Sequence, residues 1–135
     1  MLNHYDLEQI ENQIKKLFRR NLEADQHAIN MTLLCNNGKM TDSLLAQKNY
    51  IDLLENGRKV LSSVLSENER IVLEYHFIMG LDWDCVSAEF TKRWGDHAVK
   101  SKRCLIYYLN RAFKKMAEFV ICNSDIYDFS WLMNI

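Results

Sequence analysis

SENERIVLEYHFIMGLDWDCVSAEFTKRWGDHAVKSKRCLIYYLNRAFKKM, residues 66–116, is the stretch on which the fold turns. Ser66 followed by Glu69 is an S-x-x-E capping box, in which each side chain satisfies a free backbone amide at a helix start. Ile71, Val72, Tyr75 and Phe77–Ile78 then give an apolar helical face that closes at Gly80. Asp82 is placed to cap a second helix with Val86, Phe90 and Trp94 on one side, and Gly95 ends it. A third helix carries Leu105, Tyr108, Leu109, Ala112, Phe113 and Met116 at spacings of three and four, with its cap at Asp96 or Ser101. Lys100, Lys102, Arg103, Arg111, Lys114 and Lys115 lie between those apolar positions. Two short helices followed by a basic amphipathic one have the layout of a helix-turn-helix.

Working outward, the third helix is expected to run on to Cys122 and to break at Asn123-Ser124-Asp125. The closing residues IYDFSWLMNI are apolar enough to fold back over the core or to be buried against another chain. Upstream, Leu7, Ile10, Ile14, Leu17 and Phe18 form one helical stripe and Ala28, Met31 and Leu34 a second. They predict a helical region from about His4 to Leu34, with a break near residues 21–25. Lys15, Lys16, Arg19 and Arg20 are preceded and followed by acids, and read as a solvated face. Asn36-Asn37-Gly38 is a turn signal. Thr41 or Asp42 then caps a helix over residues 43–65, with Leu44, Ile51, Leu54, Leu61 and Leu65 near every three and a half residues. That spacing fits an intramolecular hairpin or a dimer seam, with Gln47 and Arg58 at seam positions.

The expectation is an all-α chain, consistent with the absence of proline and only four glycines. An N-terminal helical hairpin over 1–65, for packing or dimerisation, precedes a three-helix helix-turn-helix unit over 66–122 and an apolar tail over 123–135. No segment is long and apolar enough for a membrane span, and no secretory leader is evident, so a cytoplasmic protein is expected. Cys35, Cys85, Cys104 and Cys122 have no C-x-x-C spacing, and are expected to be buried reduced thiols rather than zinc ligands. His4, His27, His76 and His97 are scattered, and no metal site or cofactor is expected. Asp82 and Asp84 straddle a helix start, where capping explains them better than acid–base work, and no nucleophile motif or phosphate loop is present. The chain does not read as an enzyme.

Net charge is −1, but its distribution is uneven. Residues 91–115 hold eight Lys and Arg against one acid, Asp96, while the residues on either side are net acidic. Clustering of one sign along one helix and its approach is a phosphate-binding footprint. A helix that is merely soluble mixes signs.

Leu65-Ser66-Glu67-Asn68-Glu69-Arg70-Ile71-Val72-Leu73, then Gly80-Leu81-Asp82-Trp83, then Ala112-Phe113-Lys114-Lys115-Met116 resemble, in order and spacing, the promoter-reading helix-turn-helix (region 4) of sigma factors. The resemblance covers about fifty residues. No promoter-melting region is recognisable, so a complete sigma factor is not expected, and the link over residues 91–100 is longer and more basic than the family's turn. A helical N-terminal half followed by such a unit is similar to late-gene transcriptional regulators of phages of Gram-positive bacteria, the ArpU and RinA type. That resemblance implies a phage- or prophage-encoded activator in a bacterial host cell.

On the physical reading, a helix in the major groove presents its forward outer residues to base edges. With Ser101 as cap these are Lys102, Arg103 and Tyr107, Arg103 being suited to a guanine by its planar fork. Tyr107 reads equally as a partly buried aromatic at the helix edge. Lys92, Arg93, Lys100, Ser101, Arg111, Lys114 and Lys115 are the expected phosphate contacts. The function expected is a sequence-specific regulator of transcription on double-stranded DNA, acting as a homodimer or with RNA polymerase. Two alternatives stand beside it. One is a protein-interaction module docking on RNA polymerase or a host protein without specific DNA contact; the other is a small terminase-like DNA-packaging subunit.

Overall fold

Every α-helix among the described residues starts at a short polar side chain that accepts a hydrogen bond from an otherwise free backbone amide. The caps are Asp6, Asn21, Thr41, Ser66, Asp82 and Ser101. Each such cap contributes about 1 kcal/mol to its helix. The computed structural model describes residues 5–135, and these are all-helical, with no strand among them. The helices are α1 (Leu7–Arg19), α2 (Leu22–Cys35), α3 (Asp42–Ser62), α4 (Glu67–Val72), α5 (Trp83–Trp94) and α6 (Lys102–Cys122). The expected start at His4 lies outside the described residues.

The chain bends at Arg20, whose extended backbone ends α1, and Asn21 starts α2 afresh. That restart resets the phase. Leu22 and Ile29, seven apart, are buried, whereas Met31 and Leu34 of the expected second stripe are exposed, Leu34 to 71%. Left-handed backbone at Asn37 and Gly38 then turns the chain into α3. Leu44, Ile51, Leu54, Leu61 and Leu65 are buried as their spacing predicts. Arg58 is spent within the fold, donating to the carbonyls of Leu17 (2.7 Å) and Arg20 at the end of α1.

A second departure lies after Val72, where α4 widens into a π-helical segment, Leu73–Ile78. Hydrogen bonds of the i→i+5 kind advance each residue by less than 100° and so rotate the later side chains away from the α-helical phase. Leu73 joins the core, Tyr75 and Phe77 are half-buried, and Ile78 is exposed rather than closing the apolar face.

Two apolar cores share α6. The smaller is built from Ile71, Val72, Val86, Phe90 and Leu105, flanked by Tyr75, Trp83, Tyr108 and Leu109. The larger joins Ile10, Ile14 and Leu17 of α1 and Leu54 and Leu61 of α3 to Phe113, Met116 and Val120 of α6. Phe129 and Leu132 belong to it as well, so the closing segment folds back. A 3-10 turn at Ser130–Asn134 shapes that segment, and Gln13 Nε2 donates to the Leu132 carbonyl at 3.1 Å.

The thiols are not where composition placed them. Cys35, Cys85 and Cys122 are exposed and Cys104 is half-buried. All four fall on helix positions that the apolar stripes leave outside, and Asp82 beside Cys85 pushes that thiol's pKa up.

Gly57 of α3 meets the indole of Trp131, and a methyl group there would stand 2.6 Å from Trp131 Cζ2. Gly57→Ala is expected to lower stability by about 1 to 2 kcal/mol, because overpacking outweighs the roughly 1 kcal/mol that alanine gains over glycine in a helix. Denaturant unfolding checks it; an unchanged or stabilised variant would show that Trp131 does not lie on Gly57.

Candidate nucleic-acid interface

The start of α6 fixes where its side chains point. Gly95 ends α5 with a left-handed φ of 93°, and a 3-10 turn, Asp96–Ala98, follows with Ala98 buried. Ser87 Oγ of α5 donates to the Lys100 carbonyl at 3.0 Å, tying this link to the small core. The Ser101 hydroxyl then accepts from Cys104 N, so of the two candidate caps Ser101 is the one used. Lys102 and Arg103 therefore occupy the first turn of α6.

Beyond them, Arg103, Ile106, Tyr107, Asn110, Arg111 and Lys114 are exposed at spacings of three and four, a continuous outer face. Tyr107 is 57% exposed rather than partly buried, and its hydroxyl accepts from Arg111 Nη1 at 3.2 Å. Tyr108 points inward, its ring stacked 6.3 Å from that of Phe90. Asn110 was not singled out by sequence. Its seven-residue spacing from Arg103 was the available signal, and an exposed amide on this face has the donor–acceptor pair that matches adenine.

The cations expected to contact bases or phosphates divide into two groups. Lys92, Lys100, Lys102, Arg103 and Lys114 have no acid within ion-pair distance among the described residues. The other three are engaged inside the fold. Arg93 Nε lies 2.9 Å from Glu89 Oε1, and its Nη2 donates to the Tyr75 hydroxyl at 3.1 Å. Lys115 Nζ lies 2.7 Å from Glu69 Oε1, and Arg111 Nε 3.3 Å from Glu69 Oε2.

Glu69 is the one buried charged residue among those described, with 1% of its surface exposed. It closes the capping box by accepting from Ser66 N at 2.8 Å. Burial pushes its carboxyl up, but the hydrogen bonds from Lys115 and Ser66, together with the Lys115 charge, outweigh that and hold its pKa below the usual carboxylate value.

Among the described residues no group of three or more His, Cys, Asp or Glu gathers to hold a metal ion. No helix among them is long and apolar enough to cross a membrane. Comparison with protein-family models, with curated proteins and with solved structures finds no match to this chain.

A carboxyl depressed in the native state stabilises fully above its unfolded-state pKa, and that contribution is lost as pH falls through the native value. Glu69→Gln keeps a residue able to close the capping box but leaves Lys115 and Arg111 without a counter-charge. It is expected to cost about 2 kcal/mol at neutral pH, with the gap to the native protein narrowing as pH falls below the unfolded-state carboxylate pKa and through the lower Glu69 native value. Urea unfolding across pH measures this; a gap constant down to acid pH would count against the Glu69 pairing.

Proposed function

We propose that this chain is a sequence-specific binder of double-stranded DNA that regulates transcription, with α4 to α6 acting as a helix-turn-helix and α6 as its reading helix. The observation that carries the proposal is the outer face of α6. Arg103, Tyr107 and Asn110 stand exposed in its first turns, and Lys92, Lys100, Lys102 and Lys114 have no acid partner among the described residues. Arg103 offers a bidentate donor for guanine, Asn110 an amide for adenine, and the lysines point charges for phosphate. Ser101 caps the helix, and the forward amides of a helix start are donors suited to a phosphate. Arg93, Arg111 and Lys115 serve first as struts within the fold and contribute positive potential to the same face.

The likeness of residues 65–73, 80–83 and 112–116 to sigma region 4 supports a promoter as the target. The likeness to phage late-gene regulators supports activation of phage or prophage late genes in a bacterial host. One reading helix covers a half-site only, so a second copy of the chain or RNA polymerase supplies the remaining affinity.

The test is binding of the purified chain to duplex fragments from its own genomic neighbourhood over a salt series. One fragment is expected to survive higher salt than the rest. Arg103→Ala is expected to weaken that fragment by about tenfold or more, the discrimination of a good bidentate contact, with unchanged thermal unfolding. Absence of binding to any duplex at low salt would overturn the proposal in favour of a protein-docking module.

A further inference from the structure

A helix lying in the major groove has a sugar–phosphate strand on each side. The groove is about 12 Å wide and a helix with its side chains about 10–12 Å across, so both strands pass close to its flanks. In this chain the two flanks of α6 are occupied by different helices. Tyr108 and Phe113, five residues and about 140° apart around the helix, mark them. Tyr108 meets Phe90 of α5. The Phe113 ring takes the Lys15 ammonium of α1 at 5.4 Å and makes an edge contact with Phe77 at 4.8 Å. The buried arc between them holds Leu105, Ala112 and Met116, and the open arc holds Arg103, Tyr107, Asn110 and Lys114.

On the α5 flank, Lys92 and Lys100 are available to one strand. We infer that Lys15 and Arg19 of α1 hold the other, so that the N-terminal part of the chain is itself part of the DNA surface. This rests on the reading role proposed for α6.

Three observations carry it. Residues 12–22 contain Lys15, Lys16, Arg19 and Arg20 and no acid, while Glu8 and Glu11 lie on the same edge nearer the start of α1. Only Arg20 is neutralised, by Asp25 at 2.9 Å, while Lys15 and Arg19 have no acid within ion-pair distance among the described residues. Both cations are positioned rather than left loose, Lys15 on the Phe113 ring and the Arg19 guanidinium 5.0 Å from the Phe77 ring. Helices in contact lie 8–10 Å apart, so a cation on the edge of α1 next to Phe113 stands where the strand beside α6 would run. A solvated face, the ordinary account of such a run, does not explain the placement of both cations on rings of the reading unit.

The probe is a mixed-sequence duplex of about 30 base pairs, titrated with the full chain by fluorescence anisotropy over roughly 50–200 mM potassium chloride. The K15Q/R19Q double variant is expected to reduce the log–log salt slope by about 1.8, the contribution of two phosphate contacts, and the charge-retaining K15R/R19K variant to restore it. Lys114→Gln, a contact of the α6 face itself, is expected to reduce the slope by about 0.9. An unchanged slope for K15Q/R19Q beside a reduced one for Lys114→Gln would overturn this inference and leave the reading of α6 standing. Loss of affinity in K15Q/R19Q that K15R/R19K does not restore would overturn it too, marking a packing effect. A native chain that binds no duplex would remove both.

Discussion

The carboxylate of Glu69 is the constraint on which the facing of α6 depends. A charge carried almost completely out of water must be matched or it will neutralise. Here it is matched from two directions: by the backbone of its own helix start at Ser66, and by Lys115 and Arg111 from α6. Those partners lie on one side of α6, so the pairing settles both where α4 crosses that helix and how far the helix is rotated about its axis. With Lys115 turned inward to Glu69, Arg103, Asn110 and Lys114 are turned outward. Local capping and the facing of a distant surface are thus consequences of one side chain.

Apolar packing completes what that ion pair orients. The first half of α6 belongs to the small core with α4 and α5, the second half to the larger one with α1, α3 and the closing segment. Each core alone would be a modest stabiliser for so short a chain. Because the same helix is common to both, the polar outer face is presented by an element anchored at two places. Residues 91–115 hold eight bases to one acid, and even with Glu69 and Glu89 set against three of those bases the overall charge near zero says little about the local field along them.

How much of this was legible depends on the range of the interaction involved. The all-helical class, the Ser66–Glu69 box and the Asp82 cap are local signals, and each is read directly from side chains three residues apart. The start of α6 was narrowed to two residues, and the Ser87–Lys100 hydrogen bond from another helix accompanies the choice of Ser101. The π-helical segment has no sequence signature, so the exposure of Ile78 was not foreseen. Nor was the phase of α2, which follows from a break at Arg20–Asn21 located only to within several residues. The site was legible as a run of bases but not as a division of labour. Which cations are free depends on Glu69, 46 residues from Lys115, and on Tyr75, 18 residues from Arg93. Solvent exposure of the cysteines is likewise a tertiary outcome, and the general tendency of thiols to be buried gave the wrong answer.

One unbroken rod of 21 residues, about 31 Å long at 1.5 Å per residue, joins the two ends of this molecule. It contains neither glycine nor proline, the residues at which a helix most readily bends. Whatever grips the first turns of α6 therefore takes hold of a handle, and the body attached to the far end follows as a solid piece. Orientation is transmitted along with position, with no flexible joint to average it away. The surfaces carried by α2 and α3 are consequently held out at a fixed bearing from the gripped end, as a signpost is by its pole.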